Sequence, residues 1–255
     1  MRFVDKTVLV TGGSQGIGEA ICKRFAEEGA KVAVVASTDR GKAQKVVDAI
    51  VAAGGSAQAF TCNVAAATDV KALVAEVLAS FGKIDILVNS AGVFYPTKIG
   101  ETDEEMFDRM SDINLKGTFL TCNEVGPHMI ARGFGKIVNL GSTSGVIGRK
   151  DFIAYCATKA GVMHMTRAMA VALGPHGINV NVIAPGNTET PMNAHVRNEP
   201  EYEAMRKVIA ERTLTERLFA DPNGIAGAAL FLASNDAEAM HGAVMLMDQG
   251  ITAGY

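Results

Sequence analysis

The sequence predicts an α/β fold, a single doubly wound domain whose seven-stranded parallel sheet carries helices on both faces. Short apolar runs rich in valine and isoleucine alternate with longer amphipathic segments along nearly the whole chain. Such runs are typical of strands that crossover helices bury on both faces. A glycine-rich turn also joins the first strand to the first helix, and right-handed crossovers then produce the doubly wound arrangement. We therefore expect one domain spanning residues 1–255.

The individual elements follow from this alternation in chain order. The first strand covers residues 7–10 and leads through the glycine turn into a helix that ends near Gly29. The six later strands are predicted at residues 31–35, 57–62, 84–88, 136–140, 178–184 and 243–247. Helices are predicted at residues 41–53, 68–81, 104–131 and 222–234, with another around Tyr155 and Lys159.

Composition excludes several classes of protein. With 48% hydrophobic and 20% charged residues, the 255-residue chain has the make-up of a globular enzyme. The net charge of −3 arises from 24 basic and 27 acidic residues that are interspersed, so no nucleic-acid footprint is present. The N-terminus enters a strand directly, without a signal-peptide core, and no apolar run is long enough to span a membrane. We expect a cytoplasmic protein with no membrane partner.

The cysteines and histidines indicate no metal centre. The four cysteines are far apart and form no C-x-x-C pair, so they indicate neither a zinc site nor a disulfide framework. The five histidines form no H-x-x-x-H or H-E-x-x-H pattern. We expect reduced core thiols and no bound metal.

The glycine turn predicts a phosphate site. Strand, turn and helix follow one another around Gly12, Ser14 to Ile17 and Gly18. Glycines allow the backbone to approach a pyrophosphate, and the N-terminus of a helix offers N–H groups and a positive dipole end. The arrangement is that of a Rossmann-type, dinucleotide-binding fold.

The end of the second strand bears on the choice of coenzyme. An acidic residue commonly binds the ribose 2′-hydroxyl of NAD there, but Ala36 occupies that place. Ser37, Thr38 and Arg40 are suited to surround a 2′-phosphate, which favours NADP(H) over NAD(H). Asp39 as the ribose ligand is the alternative.

Tyr155 and Lys159 are the candidate chemical centre. Their spacing of four places both on one helix face. A lysine ammonium ~4 Å from the phenol is worth roughly 4 kcal/mol at an effective dielectric near 20, enough to bring the tyrosine pKa from ~10 towards ~7. Such a phenol can donate or accept a proton at neutral pH.

Ser142 follows a buried strand, where its hydroxyl could hold the reacting oxygen. Asn114 lies inside a predicted helix, where an exposed neutral position is an alternative to a functional one.

These motifs together resemble the short-chain dehydrogenase/reductase family. They are TGGSQGIG, NSAG, Asn114, Ser142, Tyr155-x-x-x-Lys159 and PGNTET, in this order and spacing over essentially the whole chain. Within this family, the sequence most resembles the 3-oxoacyl-carrier-protein reductases. The resemblance implies hydride transfer between NAD(P)(H) and a ketone or secondary alcohol.

The resemblance also implies roles for four catalytic residues. Tyr155 would be the general acid/base and Ser142 would orient the substrate oxygen. Lys159 would lower the tyrosine pKa and bind the nicotinamide ribose, and Asn114 would hold a water that extends the proton relay.

Further binding residues are implied in the same way. The implied cofactor-binding residues, including those named above, are Gly12, Ser14, Gln15, Gly16, Ile17, Gly18, Ser37, Thr38, Arg40, Asn63, Val64, Asn89, Gly92, Tyr155, Lys159, Pro185, Gly186, Thr188 and Thr190. The candidate substrate-pocket residues are Phe94, Val146, Phe152, Asn187, Met192 and His195. Residues 187–218 lack an obvious core stripe and are a candidate substrate lid.

Departures from the family pattern leave alternatives open. Basic residues that hold an acidic carrier protein are replaced by Pro127 and Val171, so a small free ketone or alcohol is favoured, with 3-oxoacyl thioester reduction as the alternative. Gln15 stands where NADP-preferring relatives often carry arginine. A non-catalytic dinucleotide-binding regulator would be expected to lack some of the four catalytic residues, and a sugar-nucleotide epimerase would need a longer chain. A homotetramer is also implied.

Overall fold

The computed structural model describes residues 1–253, and its core is one parallel sheet of seven strands. The strands run in the order β3-β2-β1-β4-β5-β6-β7, so the strand order reverses between β1 and β4. This confirms the predicted fold class. The strand bounds are β1 Thr7–Thr11, β2 Lys31–Ala36, β3 Ser56–Thr61, β4 Ile86–Asn89, β5 Gly135–Leu140, β6 Ile178–Pro185 and β7 Val244–Met247.

Helices cover both faces of the sheet. The helices are α1 Gly16–Glu27, α2 Arg40–Ala52, α3 Ala67–Phe81, α4 Glu104–Ser111, α5 Gly117–Arg132, α6 Ile153–Leu173, α7 Ala194–Asn198, α8 Glu203–Arg212 and α9 Pro222–Ala233. Side chains of α1, α2 and α9 form the core on one face. Those of α3, α5 and α6 form it on the other, so alternate residues of each strand are buried on opposite sides.

Capping side chains decide where two of these helices begin. The Asp39 carboxylate accepts a hydrogen bond of 2.9 Å from the Gly41 N–H at the start of α2. Asp103 accepts one of 2.8 Å from the Met106 N–H at the start of α4. Each cap satisfies a backbone donor that the helix leaves unpaired and is worth about 1 kcal/mol.

A buried carboxylate ties the amino-terminal edge of the sheet. Asp85 is fully buried and accepts a 2.8 Å hydrogen bond from the Thr7 N–H. It also forms ion pairs with Arg132 and, at 3.2 Å, with Lys83. Burial alone would raise the pKa of Asp85, but these partners outweigh it and hold the pKa below its usual range. The carboxylate therefore joins β1, the start of β4 and the end of α5.

The helix predicted at residues 104–131 is interrupted. It forms α4 and α5, joined by a single π-helical turn at Asp112–Lys116 that carries Asn114. Asn114 is 1% exposed, so the alternative of an exposed neutral position is wrong. Asparagine amides compete for local hydrogen bonds and disfavour regular helix, and π turns are frequent at functional sites.

Candidate active site

A cleft of about 1670 Å³ opens at the carboxyl ends of the strands, where the strand order reverses. Pockets for one small ligand usually measure about 300–1,000 Å³, so this cleft has room for a dinucleotide and a substrate together. Most of the residues predicted for binding line it. From the predicted set these are Gly12, Ser14, Gln15, Gly16, Ile17, Gly18, Ser37, Thr38, Asn63, Val64, Gly92, Phe94, Ser142, Phe152, Tyr155, Lys159, Pro185, Gly186, Asn187, Thr188, Thr190, Met192 and His195.

The glycine turn brings the start of α1 to the floor of this cleft. A Cβ added to Gly18 would lie 2.2 Å from the Gly12 carbonyl oxygen, so only glycine allows the helix to pack this closely on the turn. The N-cap residue, Gln15, makes no side-chain capping bond. The N–H groups and positive dipole end of α1 are thus turned towards the cleft without a side-chain cap, which fits a pyrophosphate.

The corner after β2 is lined by hydroxyl groups. Ser37 and Thr38 face the cleft, whereas the Arg40 side chain lies outside its lining because Arg40 is the first, exposed residue of α2. Asp39 is also outside the lining, because its carboxylate caps α2. A shallow neighbouring groove adds the carboxylates of Asp69 and Glu76.

Asn89 lies outside the cleft, although it was predicted to bind the cofactor. Its side chain is buried in a polar ladder instead: the amide donates to the Asn139 oxygen at 2.9 Å and accepts from the Thr121 hydroxyl at 2.7 Å. Asn139 in turn donates to the Thr166 hydroxyl at 2.9 Å. The ladder joins α5, β4, β5 and α6: Asn89 ties α5 to the sheet through Thr121, and Asn139 ties α6 to it through Thr166.

Two backbone contacts place Tyr155 in the cleft. Helix α6 has no side-chain cap of its own, and its Ala154 N–H donates to the Thr97 hydroxyl at 3.0 Å. On the other side, the turn after Ser142 packs so closely on α6 that a Cβ on Gly145 would lie 2.8 Å from the carbonyl carbon of Lys159. The Ser142 hydroxyl accepts a 3.1 Å bond from the Ser144 N–H, which orients it at the mouth of this turn.

The pKa of Tyr155 shifts in the opposite direction to the one predicted. Lys159 is 6% exposed, and its ammonium donates to the Leu140 carbonyl at 2.8 Å. It lies 5.7 Å from the Tyr155 ring centroid. Burial lowers the pKa of Lys159 to about 8. Burial raises the pKa of Tyr155, and the interactions that oppose this rise come from Ser142 and Arg149 rather than from Lys159. The expected lysine-driven lowering is therefore not met in this arrangement.

Asn114 acts on the loop behind the cleft wall. Its side-chain oxygen accepts from the Val93 N–H at 2.8 Å, and its amide donates to the Val93 carbonyl at 3.0 Å. A Cβ on Gly92 would lie 3.1 Å from that oxygen and 3.9 Å from the Lys159 nitrogen. Asn114 is thus adjacent to Lys159 but does not line the cleft, and it clamps the backbone that does.

Aromatic rings form the wall at the substrate end. Phe94 stacks on Phe152 with centroids 4.5 Å apart and meets Tyr155 edge-on at 4.8 Å. Asn187, Met192 and His195 also line the cleft there. Val146 does not, because it is 52% exposed on the outer side of the turn that follows Ser142.

Several cleft residues were not identified from the sequence. One of them is Arg149, on the loop between Ser142 and Tyr155. A cation between two candidate catalytic residues, on a loop that must pass the cleft, was the available signal. Tyr95 and Phe219 are others, whereas the cleft residues Tyr202, Met205 and Arg212 belong to the segment 187–218 that was predicted as a lid.

No helix among residues 1–253 combines the length and apolar character needed to cross a membrane. Within the same residues, no three or more histidine, cysteine, aspartate or glutamate side chains are grouped so as to hold a metal ion.

Comparisons with known proteins bear on the family of this chain. A family model described as "Enoyl-(Acyl carrier protein) reductase" matches residues 12–252. The chain is 39% identical over 251 residues to D-threitol dehydrogenase of Mycolicibacterium smegmatis, covering 98% of this chain and 94% of that protein. It is 36% identical over 248 residues to a 3-oxoacyl-(acyl-carrier-protein) reductase of Staphylococcus aureus, covering 97% and 98% respectively.

A solved structure shows the same architecture. The crystal structure of a short-chain type dehydrogenase/reductase from Mycobacterium marinum matches with a TM-score of 0.91 at 33% identity, covering 98% of this chain and 96% of that chain. Similarity at this level, over nearly the full length, carries both the fold and the reaction class. The chain is an oxidoreductase that belongs to the short-chain dehydrogenase/reductase family.

Proposed function

We propose that this oxidoreductase interconverts a secondary alcohol and a ketone on a small free substrate, with Tyr155 as general acid/base. The observation that carries the proposal is that Tyr155 and Ser142 line the same cleft as the glycine turn, where Ser142 opposes the rise that burial causes in the pKa of the phenol. A bound nicotinamide coenzyme would accept or supply the hydride at this place.

The chain's own residues would divide the remaining work. Ser142 would hold the substrate oxygen, and Tyr155 would take its proton or return it. The buried ammonium of Lys159 would stabilise a tyrosinate and the ribose hydroxyls beside it, because its pKa of about 8 leaves it charged at neutral pH. Asn114 would keep the Val93 backbone, and with it the Phe94 wall, in position.

Replacing Tyr155 with phenylalanine tests this assignment. The change removes the proton donor and leaves the ring contacts with Phe94 in place. We expect kcat to fall about 10²–10⁴-fold, while coenzyme affinity, measured by fluorescence titration, stays within about two-fold. Turnover within a few-fold of wild type would show that Tyr155 is not the acid/base.

A small polyol or ketone is the substrate class that we favour. The similarity to a D-threitol dehydrogenase supports a small polyhydroxylated substrate. The similarity to a 3-oxoacyl-(acyl-carrier-protein) reductase supports thioester reduction as the second candidate. Against it, Pro127 and the 80% exposed Val171 leave the surfaces that would receive an acidic carrier protein without a cation at those places. Turnover of a panel of polyols, small ketones and 3-oxoacyl thioesters distinguishes the two.

NADP(H) is the coenzyme that we propose. Its support is the hydroxyl-lined corner at Ser37 and Thr38, together with the engagement of Asp39 as a helix cap. Comparing kcat/KM for NADPH and NADH in wild type and in Ser37→Asp tests the proposal. We expect wild type to prefer NADPH, and a carboxylate at position 37 to reverse that preference by repelling the phosphate and accepting from the ribose diol. A wild-type preference for NADH would refute it.

We further propose a cytoplasmic homotetramer with a substrate lid at residues 187–218. Half-exposed apolar side chains on α4 and α5, such as Phe107 and Phe119, and Val171 on α6 support burial between subunits. Four unpaired cysteines are in keeping with a reducing compartment.

The lid is supported by Met192, His195 and Met205, which face the cleft. Light scattering tests the tetramer, and slower hydrogen exchange in residues 187–218 on addition of coenzyme and substrate tests the lid.

A further inference from the structure

Arg149 is a cation in the cleft wall whose side chain has no hydrogen-bond or ion-pair partner among residues 1–253. It lies on the loop between Ser142 and α6 and lines the cleft beside Phe152 and Tyr155. Its Nε is buried and makes no hydrogen bond. Among residues 1–253 the guanidinium has no ion pair with any carboxylate, although the neighbouring Asp151 is only two positions away in the chain. A buried donor and charge left in this state are costly unless another molecule supplies the acceptor.

No carboxylate among residues 1–253 is one of the groups that shift the pKa of Arg149. Burial lowers its pKa, and so does the positive charge of Arg212, while the Tyr155 phenol and the Cys156 thiol raise it. Arg212 is the last residue of α8 and lines the same cleft from the 187–218 segment. Two cations from different walls thus act on each other across the cleft. An anion bound to Arg149 would compensate the burial of its charge.

We propose that the substrate carries an anionic group, a carboxylate or a phosphate, which Arg149 binds beside the reacting alcohol while Arg212 faces it from α8. This proposal rests on the proposed function and names the class of substrate, a small polyhydroxy acid or a phosphorylated polyol. The planar guanidinium suits both oxyanions because its N–H groups form a fork that matches two oxygens at once. The anionic group and the reacting carbon belong to one small molecule, because Arg149 and Tyr155 line the same cleft and are only six positions apart in the chain.

The dinucleotide phosphates are not the partner of this arginine. The uncapped start of α1 and the glycine turn offer the pyrophosphate site at the end of β1. Arg149 belongs instead to the loop that runs into α6, next to the ring wall of Phe94 and Phe152. The hydroxyl-lined corner for the 2′-position lies after β2. Arg149 therefore adds charge to the substrate end of the cleft alone.

The test compares neutral and anionic versions of one polyol in four proteins. The substrates are threitol, threonate and threitol 4-phosphate, and the proteins are wild type, Arg149→Gln, Arg149→Lys and Lys150→Gln. Lys150 is the matched control, because it is the adjacent cation, is exposed and does not line the cleft. Removing one partner of a desolvated charge pair costs about 2–5 kcal/mol, or roughly 30-fold to several thousand-fold.

The expected pattern is specific to the anionic substrates. Wild type turns over threonate or the phosphate at least about tenfold more efficiently than threitol. Arg149→Gln loses at least about 30-fold in kcat/KM on the anionic substrate, mainly through KM, and stays within a few-fold on threitol. Arg149→Lys restores part of the loss, and Lys150→Gln changes nothing. The better of threonate and the phosphate identifies the oxyanion.

Two results would overturn the proposal. One is a wild type that prefers threitol to both anions. The other is an Arg149→Gln protein that loses kcat equally on neutral and anionic substrates with a displaced pH profile, since that arginine would then act on Tyr155 and not on the substrate.

Binding without turnover separates this proposal from the proposed function. Tartrate and inorganic phosphate should each be tested for a saturable rise in the Tm of wild type, and one of them should produce it. The rise should be absent in Arg149→Gln and kept in Lys150→Gln. Such a rise with no oxidation of any polyol by either coenzyme would refute the proposed function alone. The absence of any rise in wild type would refute the anion site, even if Arg149→Gln failed to fold.

Discussion

Replacing Gly145 with alanine should impair catalysis without altering any catalytic side chain. The added Cβ would lie 2.8 Å from the carbonyl carbon of Lys159, 2.9 Å from the Ala160 nitrogen and 3.0 Å from the Lys159 oxygen. All three atoms are backbone atoms of α6, so none can rotate away. The closest contact is about 0.6 Å short of ordinary van der Waals distance, and the turn must move from the helix by about that amount.

The displacement acts directly on the distance between Ser142 and Tyr155. Gly145 donates its N–H to the Ser142 carbonyl at 2.9 Å, so the turn carries Ser142 with it. A misplacement of 1 Å can cost about 10²-fold in rate, and we therefore expect kcat to fall about tenfold. Overpacking should also lower the free energy of unfolding by about 1–3 kcal/mol. Steady-state kinetics and urea denaturation measure the two effects.

Gly148→Ala is the matched control in the same loop. A Cβ at position 148 would meet no atom within 4 Å, so rate and stability should stay close to those of wild type. If Gly145→Ala were as active and as stable as Gly148→Ala, close packing of this turn on α6 would not be what positions Ser142.

Two further predictions concern buried charges. Lys159→Met should be more stable than wild type at pH 7 by up to about 3 kcal/mol, because burial lowers the folded-state pKa of Lys159 from 10.5 to about 8. As the pH rises from about 8 to 10.5, the unfolded chain binds more protons at Lys159 than the folded chain does, so the wild type should regain this deficit. A stability difference that stays constant over this pH range in urea denaturation would contradict the assignment. Asp85→Asn should lower the free energy of unfolding by about 2 kcal/mol, since it breaks a buried ion pair whose Arg132 is only partly exposed. Because the folded-state pKa of Asp85 is lowered, this contribution is present at neutral pH and should vanish as the pH falls below about 4. If wild type and Asp85→Asn lost stability equally on acidification, this prediction would be refuted.

The sequence was sufficient for the fold because most strands are short, largely apolar runs; β3, Ser56–Thr61, is the most polar of them. All seven predicted strands are present with ends displaced by one or two residues, since hydrophobic periodicity defines an element's interior better than its limits. The glycine turn was equally readable, because close approach at Gly18 leaves no other residue possible.

The sequence did not show which polar side chains would face the cleft and which would be buried in the core. Asn89 follows a strand just as Ser142 does, yet its amide turns into the ladder with Asn139 and Thr121. That choice depends on partners 32 and 50 residues away. The direction of the Tyr155 pKa shift was missed for the same reason, because helix spacing alone does not show that the Lys159 ammonium is turned to the Leu140 carbonyl.

The π turn at Asp112–Lys116 separates the orientation of α4 from that of α5. Each residue of a regular helix advances the face by about 100°, and the wider turn accommodates one more residue without breaking the axis. Helix α4 can therefore direct Asp108 and Arg109 into the cleft while α5 presents Cys122, Val125 and Met129 to the sheet. A deletion of one residue here would restore a regular helix and leave these two faces in the same relative orientation, because the wider turn absorbs the extra residue.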